Sequence, residues 1–393
     1  MPILNRRSVL LAGLTATLVS VAPGARAKAA ESGGRKLVVV ILRGAMDGMA
    51  ALPKIDDPDI RALRESLVDP SATPLGNGFA LHSAMPRLAA MYKAREAAFV
   101  PAIAGPYRER SHFEAQDLLE CGEVSRVIDS GWLNRALERA PGAYSAVSIG
   151  PSLPLVLRGP SNHATSWSPP VLPEASNDTV NRLLELYEGD AVLKPALLSA
   201  AGAEMVAGKA DMVGQAGVEQ SGRRGGPAQY VGLFQAAGTF LSEPDGPEIA
   251  VVSLEGWDTH VGQNALLKPR FAALDDGIAA VKSALGDAWR KTAVVVVSEF
   301  GRTVRVNGGA GTDHGTGGIA MIAGGAIKGG QMFGDWPGLK QAALFENRDL
   351  MPAVDMRSVF KGLLRDHLGW AANDLDTSIF HASAAAKPLG GMV

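Results

Sequence analysis

In Lys36-Leu37-Val38-Val39-Val40-Ile41-Leu42 every side chain after the lysine is apolar, and most are β-branched. Successive strand residues face opposite sides of a sheet, so a run apolar on both faces predicts a strand covered on both sides. Runs of the same kind recur at 98–103, 146–149, 248–254, 293–298 and 318–323. Segments of helical periodicity fall among them, at 84–95, 113–121, 132–139, 179–186, 266–285 and 354–367. Strand followed by helix, repeated, predicts an α/β fold: a three-layer α/β/α sandwich with a mostly parallel central sheet, running as one domain from 35 to 393. The Gly- and Ala-rich stretch 200–229 contains Gly222-Arg223-Arg224-Gly225-Gly226-Pro227 and is expected at the periphery as a loop or insertion.

Upstream of the first strand the chain reads as an address rather than as structure. Arg6-Arg7-Ser8 opens an apolar stretch over 9–21, and Ala25-Arg26-Ala27 supplies a small-x-small cleavage site. Residues 1–30 are therefore expected to be a twin-arginine signal, read by the twin-arginine export machinery and delivering a periplasmic or secreted protein. The apolar stretch is too short to cross a bilayer, so no stable membrane span is expected in the mature form. The 393 residues carry 38 Lys and Arg against 40 Asp and Glu, a formal charge of −2. Removal of 1–27 takes away three arginines and no acid, leaving −5. With no run of one sign, this balance excludes a nucleic-acid partner. The lone Cys121 excludes an internal disulfide and a cysteine zinc site, so any metal must use His, Asp and Glu.

Ligands of open parallel sheets gather at the carboxyl ends of the strands. Four strand candidates are followed there by polar clusters: Arg43-Gly44-Ala45-Met46-Asp47-Gly48, Arg108-Glu109-Arg110-Ser111-His112, Gly256-Trp257-Asp258-Thr259-His260 and Ser298-Glu299-Phe300-Gly301-Arg302-Thr303. A fifth, Gly311-Thr312-Asp313-His314-Gly315, precedes the last strand candidate. Asp47 is read either as turn chemistry or as a ligand. Ser111 is read either as a helix cap or as a nucleophile in the positive field of a helix start, flanked by Arg110 and His112. Asp258 and His260 alternate along an extended segment and would reach one ion, or sit in a solvated loop. Glu299 ends the most apolar strand, where a carboxylate needs a cation, either Arg302 or a metal. His82 and Ser83 are explained by a helix entry, and His163 sits in a polar loop open to substrate. His367, His381 and Cys121 are expected to be structural.

These motifs together, with Arg110-Ser111-His112-Phe113, Gly131-Trp132-Leu133 and Thr312-Asp313-His314-Gly315, resemble the exported domain-of-unknown-function 1501 family. That family is similar in turn to the alkaline phosphatase and sulfatase superfamily, which implies an α/β/α sandwich and usually two metals beside a Ser or Thr nucleophile. On that resemblance Asp47, Asp258, His260, Glu299, Asp313 and His314 are the expected metal residues, holding one or two divalent ions (Zn, Mg, Ca or Mn). Ser111, with Thr165 as an alternative, is the expected nucleophile. His112 is grouped with it, and Arg43 and Arg302 are expected to clamp an anion. Phe300 stands where the superfamily has a histidine ligand, and His112 and Asp313 are best placed to compensate. The expected function is a metal-dependent hydrolase of phosphate or sulfate esters, acting on a small anionic ester or a polymer. The alternative is a non-catalytic exported protein of the same fold that binds a polymer or a partner protein.

Overall fold

The computed structural model describes residues 34–125, 129–150, 152–169, 182–184, 186–190, 192–198 and 226–393. The expected export signal, half of the expected helix 179–186 and nearly all of 200–229 lie outside the described residues. No helix among the described residues is long and apolar enough to cross a membrane.

The quoted run forms strand β1, Lys36–Leu42. A small antiparallel hairpin follows, β2 (Thr73–Gly76) with β3 (Phe79–Leu81). The remaining strands are β4 (Ala97–Ala104), β5 (Ala146–Ile149), β6 (Ala164–Trp167), β7 (Ile249–Leu254), β8 (Thr292–Ser298), β9 (Gly318–Ala323) and β10 (Val354–Asp355). With β1 they make one eight-stranded sheet in the order β10-β4-β9-β8-β1-β7-β5-β6. Every pairing is parallel except those of β9, which runs antiparallel to both β4 and β8.

The pattern of β1 divides between two layers as its alternation predicts. Val38, Val40 and Leu42 pack on one face with helices α1 (Pro86–Lys93), α4 (Pro227–Ser242) and α5 (Gln263–Leu285). Leu37, Val39 and Ile41 pack on the other face with α2 (His112–Cys121), α3 (Trp132–Glu138) and α6 (Met356–Gly362). Burial of each such aliphatic side chain stabilises the fold by about 1.5–3 kcal/mol. The α/β/α sandwich and its mostly parallel sheet follow from that division.

Two local readings change. Helix α4 takes in Pro227 to Gln229, the end of the expected loop, because Tyr230, Phe234, Ala237 and Leu241 place an apolar stripe against the sheet. Val354 and Asp355 do not begin a helix. They pair with Ile103 and Ala104 of β4, and the Asp355 carboxylate caps α6 by accepting from the Arg357 amide.

Direction decides where the site forms. Leu42 is in register with Leu254 and with Ser298, so β1, β7 and β8 end level, and β4 ends on the same side of the sheet. Because β9 is reversed, its first residue, Gly318, lies at that edge, beside Ile103 near the end of β4. All five polar clusters therefore open on one edge.

Candidate metal centre

Two of the loops knit into a short antiparallel ribbon. The Gly315 amide donates to the Gly301 carbonyl (2.8 Å), that of Gly301 to Thr316 (3.0 Å) and that of Thr303 to Asp313 (3.0 Å). Gly44 brings the β1 loop against the β7 loop. Its φ is +117°, and a Cβ there would stand 2.4 Å from the Asp258 amide nitrogen.

Arg302 fixes these loops to one another. Its fully buried guanidinium donates to the carbonyls of Ala45 (2.8 Å), Thr312 (3.0 Å), Gly44 (2.7 Å) and Trp257 (3.3 Å), and to Asp258 Oδ1 (2.5 Å). Burial raises the Asp258 carboxyl, but the Arg302 hydrogen bond and charge outweigh it and hold the group below the usual carboxylate range.

Around Asp258 three imidazoles converge. His112 Nε2 and His314 Nε2 are 2.9 Å apart, and His260 Nε2 is 3.0 Å from His314 Nε2. The Asp258 carboxylate lies 3.0 Å from His260 Nε2, 3.4 Å from His314 Nε2 and 3.5 Å from His112 Nε2. His112, Asp258 and His314 each offer a ligand atom within 4.8 Å of the others.

The opposite ring nitrogens determine what faces inward. His314 Nδ1 is 3.1 Å from the Arg110 carbonyl, which only accepts, so this nitrogen carries the proton. Arg110 is turned to present that carbonyl by a left-handed backbone, φ +61°, and its side chain is held by Asp349 (2.7 Å) and Glu346 (2.5 Å). His112 Nδ1 donates to Glu299 Oε1 (2.7 Å), and His260 Nδ1 donates to Asp313 Oδ1 (3.1 Å). Burial raises the Glu299 carboxyl, yet hydrogen bonds from His112, Gln116 and Gly44 bring it below its ordinary range. Asp313 is lowered chiefly by the Asn307 hydrogen bond, with His260 adding to it. Both carboxylates are therefore ionised acceptors. Three Nε2 atoms and one carboxylate thus point at one another, an arrangement that fits a shared cation. Burial, with His112 and Arg302 nearby, lowers the pKa of His314. Imidazole nitrogens with one carboxylate are a donor set that fits Zn or a similar divalent ion.

The other expected residues have different partners. Glu299 and Asp313 stand behind His112 and His260. Asp47 is fully buried: Oδ1 accepts from the Ala50 amide (3.0 Å), and Oδ2 accepts from Gln263 Nε2 (2.6 Å) and from Arg64. Arg43 donates to Gln116 (2.9 Å) and Glu120 (2.5 Å) and tethers α2 to the sheet. Ser111 occupies the cap position of α2, partly buried, and its side chain makes no cap hydrogen bond. The Tyr107 hydroxyl beside it donates to Glu114 (2.5 Å). Phe300 stacks on His112, with ring centroids 4.9 Å apart, and so supports that ring.

Thr165, the alternative nucleophile, and His163, expected to be open to substrate, lie away from the centre. Thr165 lies on the outermost strand, β6, with its hydroxyl toward the Ala146 carbonyl, and His163 precedes that strand, at the amino end of the sheet. His82 Nδ1 accepts from the Ala84 amide (3.1 Å) at the entry to α1. His367 Nε2 donates to the Lys36 carbonyl (2.9 Å), and His381 Nδ1 pairs with Glu123 (2.8 Å). Burial pushes the Cys121 thiol up, which leaves it inert. The contributions of Arg64, Gln263, Gln116 and Tyr107 went unread. Arg64 lies in Ile60-Arg61-Ala62-Leu63-Arg64, which carries no signal of a site, whereas Gln263 stands three residues after His260.

The family model described as "Protein of unknown function (DUF1501)" matches residues 106–376, the family that the motifs resemble. No curated protein matches the chain. Among solved structures, the chain is similar to the C-terminal periplasmic domain of EcEptC from Escherichia coli in complex with Zn, at 10% identity and TM-score 0.44, covering 90% of this chain and 88% of that one. It is similar also to the phosphonate monoester hydrolase of Agrobacterium radiobacter, at 11% identity and TM-score 0.43, covering 86% and 74%. A third is the PsFucS1 sulfatase from Pseudoalteromonas sp., at 13% identity and TM-score 0.40, covering 93% and 74%.

Proposed function

The chain belongs to the DUF1501 family, and from the geometry of its centre we propose that it is an exported, metal-dependent hydrolase of phosphate or sulfate esters. The observation that carries the reading is the convergence of three Nε2 atoms and the Asp258 carboxylate at one place. His112, His260, His314 and Asp258 would hold one divalent ion, which when bound supplies Lewis-acid stabilisation of developing negative charge. Glu299, Asp313 and the Arg110 carbonyl keep the three Nδ1 protons in place, so each ring presents the same nitrogen inward.

Ser111 would be the nucleophile. Its hydroxyl is not spent on capping α2, and the helix start favours an anion there. Its oxygen bonds to phosphorus or sulfur as the alcohol leaves with a proton, and water then cleaves the seryl ester to restore the hydroxyl.

One observation favours a second reading, the non-catalytic protein that binds a polymer or partner. The donors of Arg43 and Arg302 are directed at groups of the chain itself, so neither is free to clamp an anion. Stripping the purified protein with a chelator, reloading it with Zn, Mg, Mn or Ca, and assaying aryl phosphates and aryl sulfates separates the two. Turnover that returns on reloading and is lost in Ser111→Ala supports the hydrolase. Tight binding of a sulfated polysaccharide with no turnover under any loading supports the second reading.

A further inference from the structure

The carboxylate that resemblance assigns to a metal from the first strand, Asp47, does not fit that role here. Its side chain has no exposure to solvent, and all its neighbours are donors from the protein: the Ala50 amide, the Gln263 amide group and the guanidinium of Arg64. Arg64 is itself completely buried. Its Nη1 donates to the carbonyls of Thr303 (2.7 Å) and Val304 (3.2 Å), directly beyond the loop of Glu299 and Arg302. Gln263 extends the network by accepting at Oε1 from Thr312 (2.6 Å) and Thr259 (3.0 Å), which adjoin Asp313 and Asp258.

We propose that the Arg64 guanidinium takes the place of a second cation, so that the centre is mononuclear and Asp47 is a positioning residue rather than a ligand. The inference rests on the metal-dependent reading above. A guanidinium stays protonated at all working pH values, so the charge opposite Asp47 is built into the chain and does not depend on metal supply. A divalent ion brought to Asp47 would meet that charge at close range and would find the carboxylate already occupied. The other carboxylate that a second ion would need is also engaged. Glu299 Oε1 accepts from Gly44 (2.8 Å), His112 (2.7 Å) and Gln116 (2.9 Å), and Oε2 accepts from Ser298 (2.9 Å). Through Thr303, Thr312 and Thr259 the Asp47–Arg64 pair instead braces the β8 loop of Glu299 and Arg302, the loop of Asp313 and His314, and the β7 loop of Asp258 and His260.

The test is ion content and thermal stability, read on the full mature chain after Zn loading and dialysis. The wild type should retain one ion per chain. Asp47→Asn should retain one ion and melt at lower temperature, since it leaves Arg64 buried beside a neutral group. Where that variant does not fold, Asp47→Asn combined with Arg64→Met removes both charges and should also retain one ion. Two retained ions in the wild type, or loss of the tight ion in either folded variant, would overturn the proposal. No retained ion in the wild type would overturn both this inference and the metal-dependent reading, a result distinct from two.

Discussion

His112 and His314 face each other through Nε2 atoms 2.9 Å apart, and the Nδ1 of each ring is paired with an acceptor on the far side. Glu299→Gln keeps the size of the acceptor behind His112 but removes its charge. It should weaken ion binding by about 10–100-fold, measured by competition with a chelator, without changing the fold.

Phe300 contributes by contact rather than by ligation. It is 4% exposed and packs with Ala45 and Ala115 as well as on His112. Phe300→Ala should lower stability by about 3 kcal/mol in denaturant unfolding and should weaken ion affinity by freeing the His112 ring. An unchanged affinity would show that the stack does not position His112.

Arg302 joins four carbonyls to Asp258 from a fully buried position. Arg302→Met leaves those acceptors unpaired and should cost about 3–5 kcal/mol, read from urea unfolding followed by circular dichroism. Gly44→Ala tests the same contact from the other side. A methyl group 2.4 Å from the Asp258 amide forces the β7 loop away, so ion affinity should fall by more than about tenfold while the sheet persists.

His367 gives the pH prediction. It is 2% exposed, and burial lowers its pKa from 6.5, so the folded state favours the neutral ring. As pH falls through about 6.5 the unfolded chain takes up the proton first, and the stability contributed by the neutral ring is lost progressively below that pH. His367→Gln should show a shallower loss of stability between pH 7 and pH 5 than the wild type, with ion content unchanged.

Export is tested at its own residues. Changing Arg6 and Arg7 together to Lys should leave the chain in the cytoplasmic fraction, whereas the wild type should appear in the periplasm. Equal distribution of the two would refute a twin-arginine route.

The sheet was legible because β1, β7 and β8 are apolar on both faces, and no other arrangement buries both. Helix α4 was hidden by its Gly and Ala content, which reads as loop although Tyr230 and Phe234 recur at helical spacing. The edge where the clusters meet followed from strand direction, and even the reversal of β9 keeps Asp313 and His314 there. What linear sequence does not carry is which side of a residue is already engaged. Asp47 read as a turn residue or a ligand, and Glu299 as the partner of Arg302 or a metal, because the partners they have, Arg64, Gln263, Gln116 and His112, are distant in the chain, up to 216 positions for Asp47. The backbone of Arg110, whose carbonyl orients His314, has no signature in residue type at all.

The most direct measurement is an anomalous-difference map from crystals of the mature protein loaded with Zn, collected on either side of the metal absorption edge. The account predicts one strong peak within about 2.0–2.2 Å of the inward Nε2 atoms and an oxygen of Asp258, with Asp47 still paired to Arg64. A peak on Asp47, or no peak among His112, Asp258, His260 and His314, would contradict it.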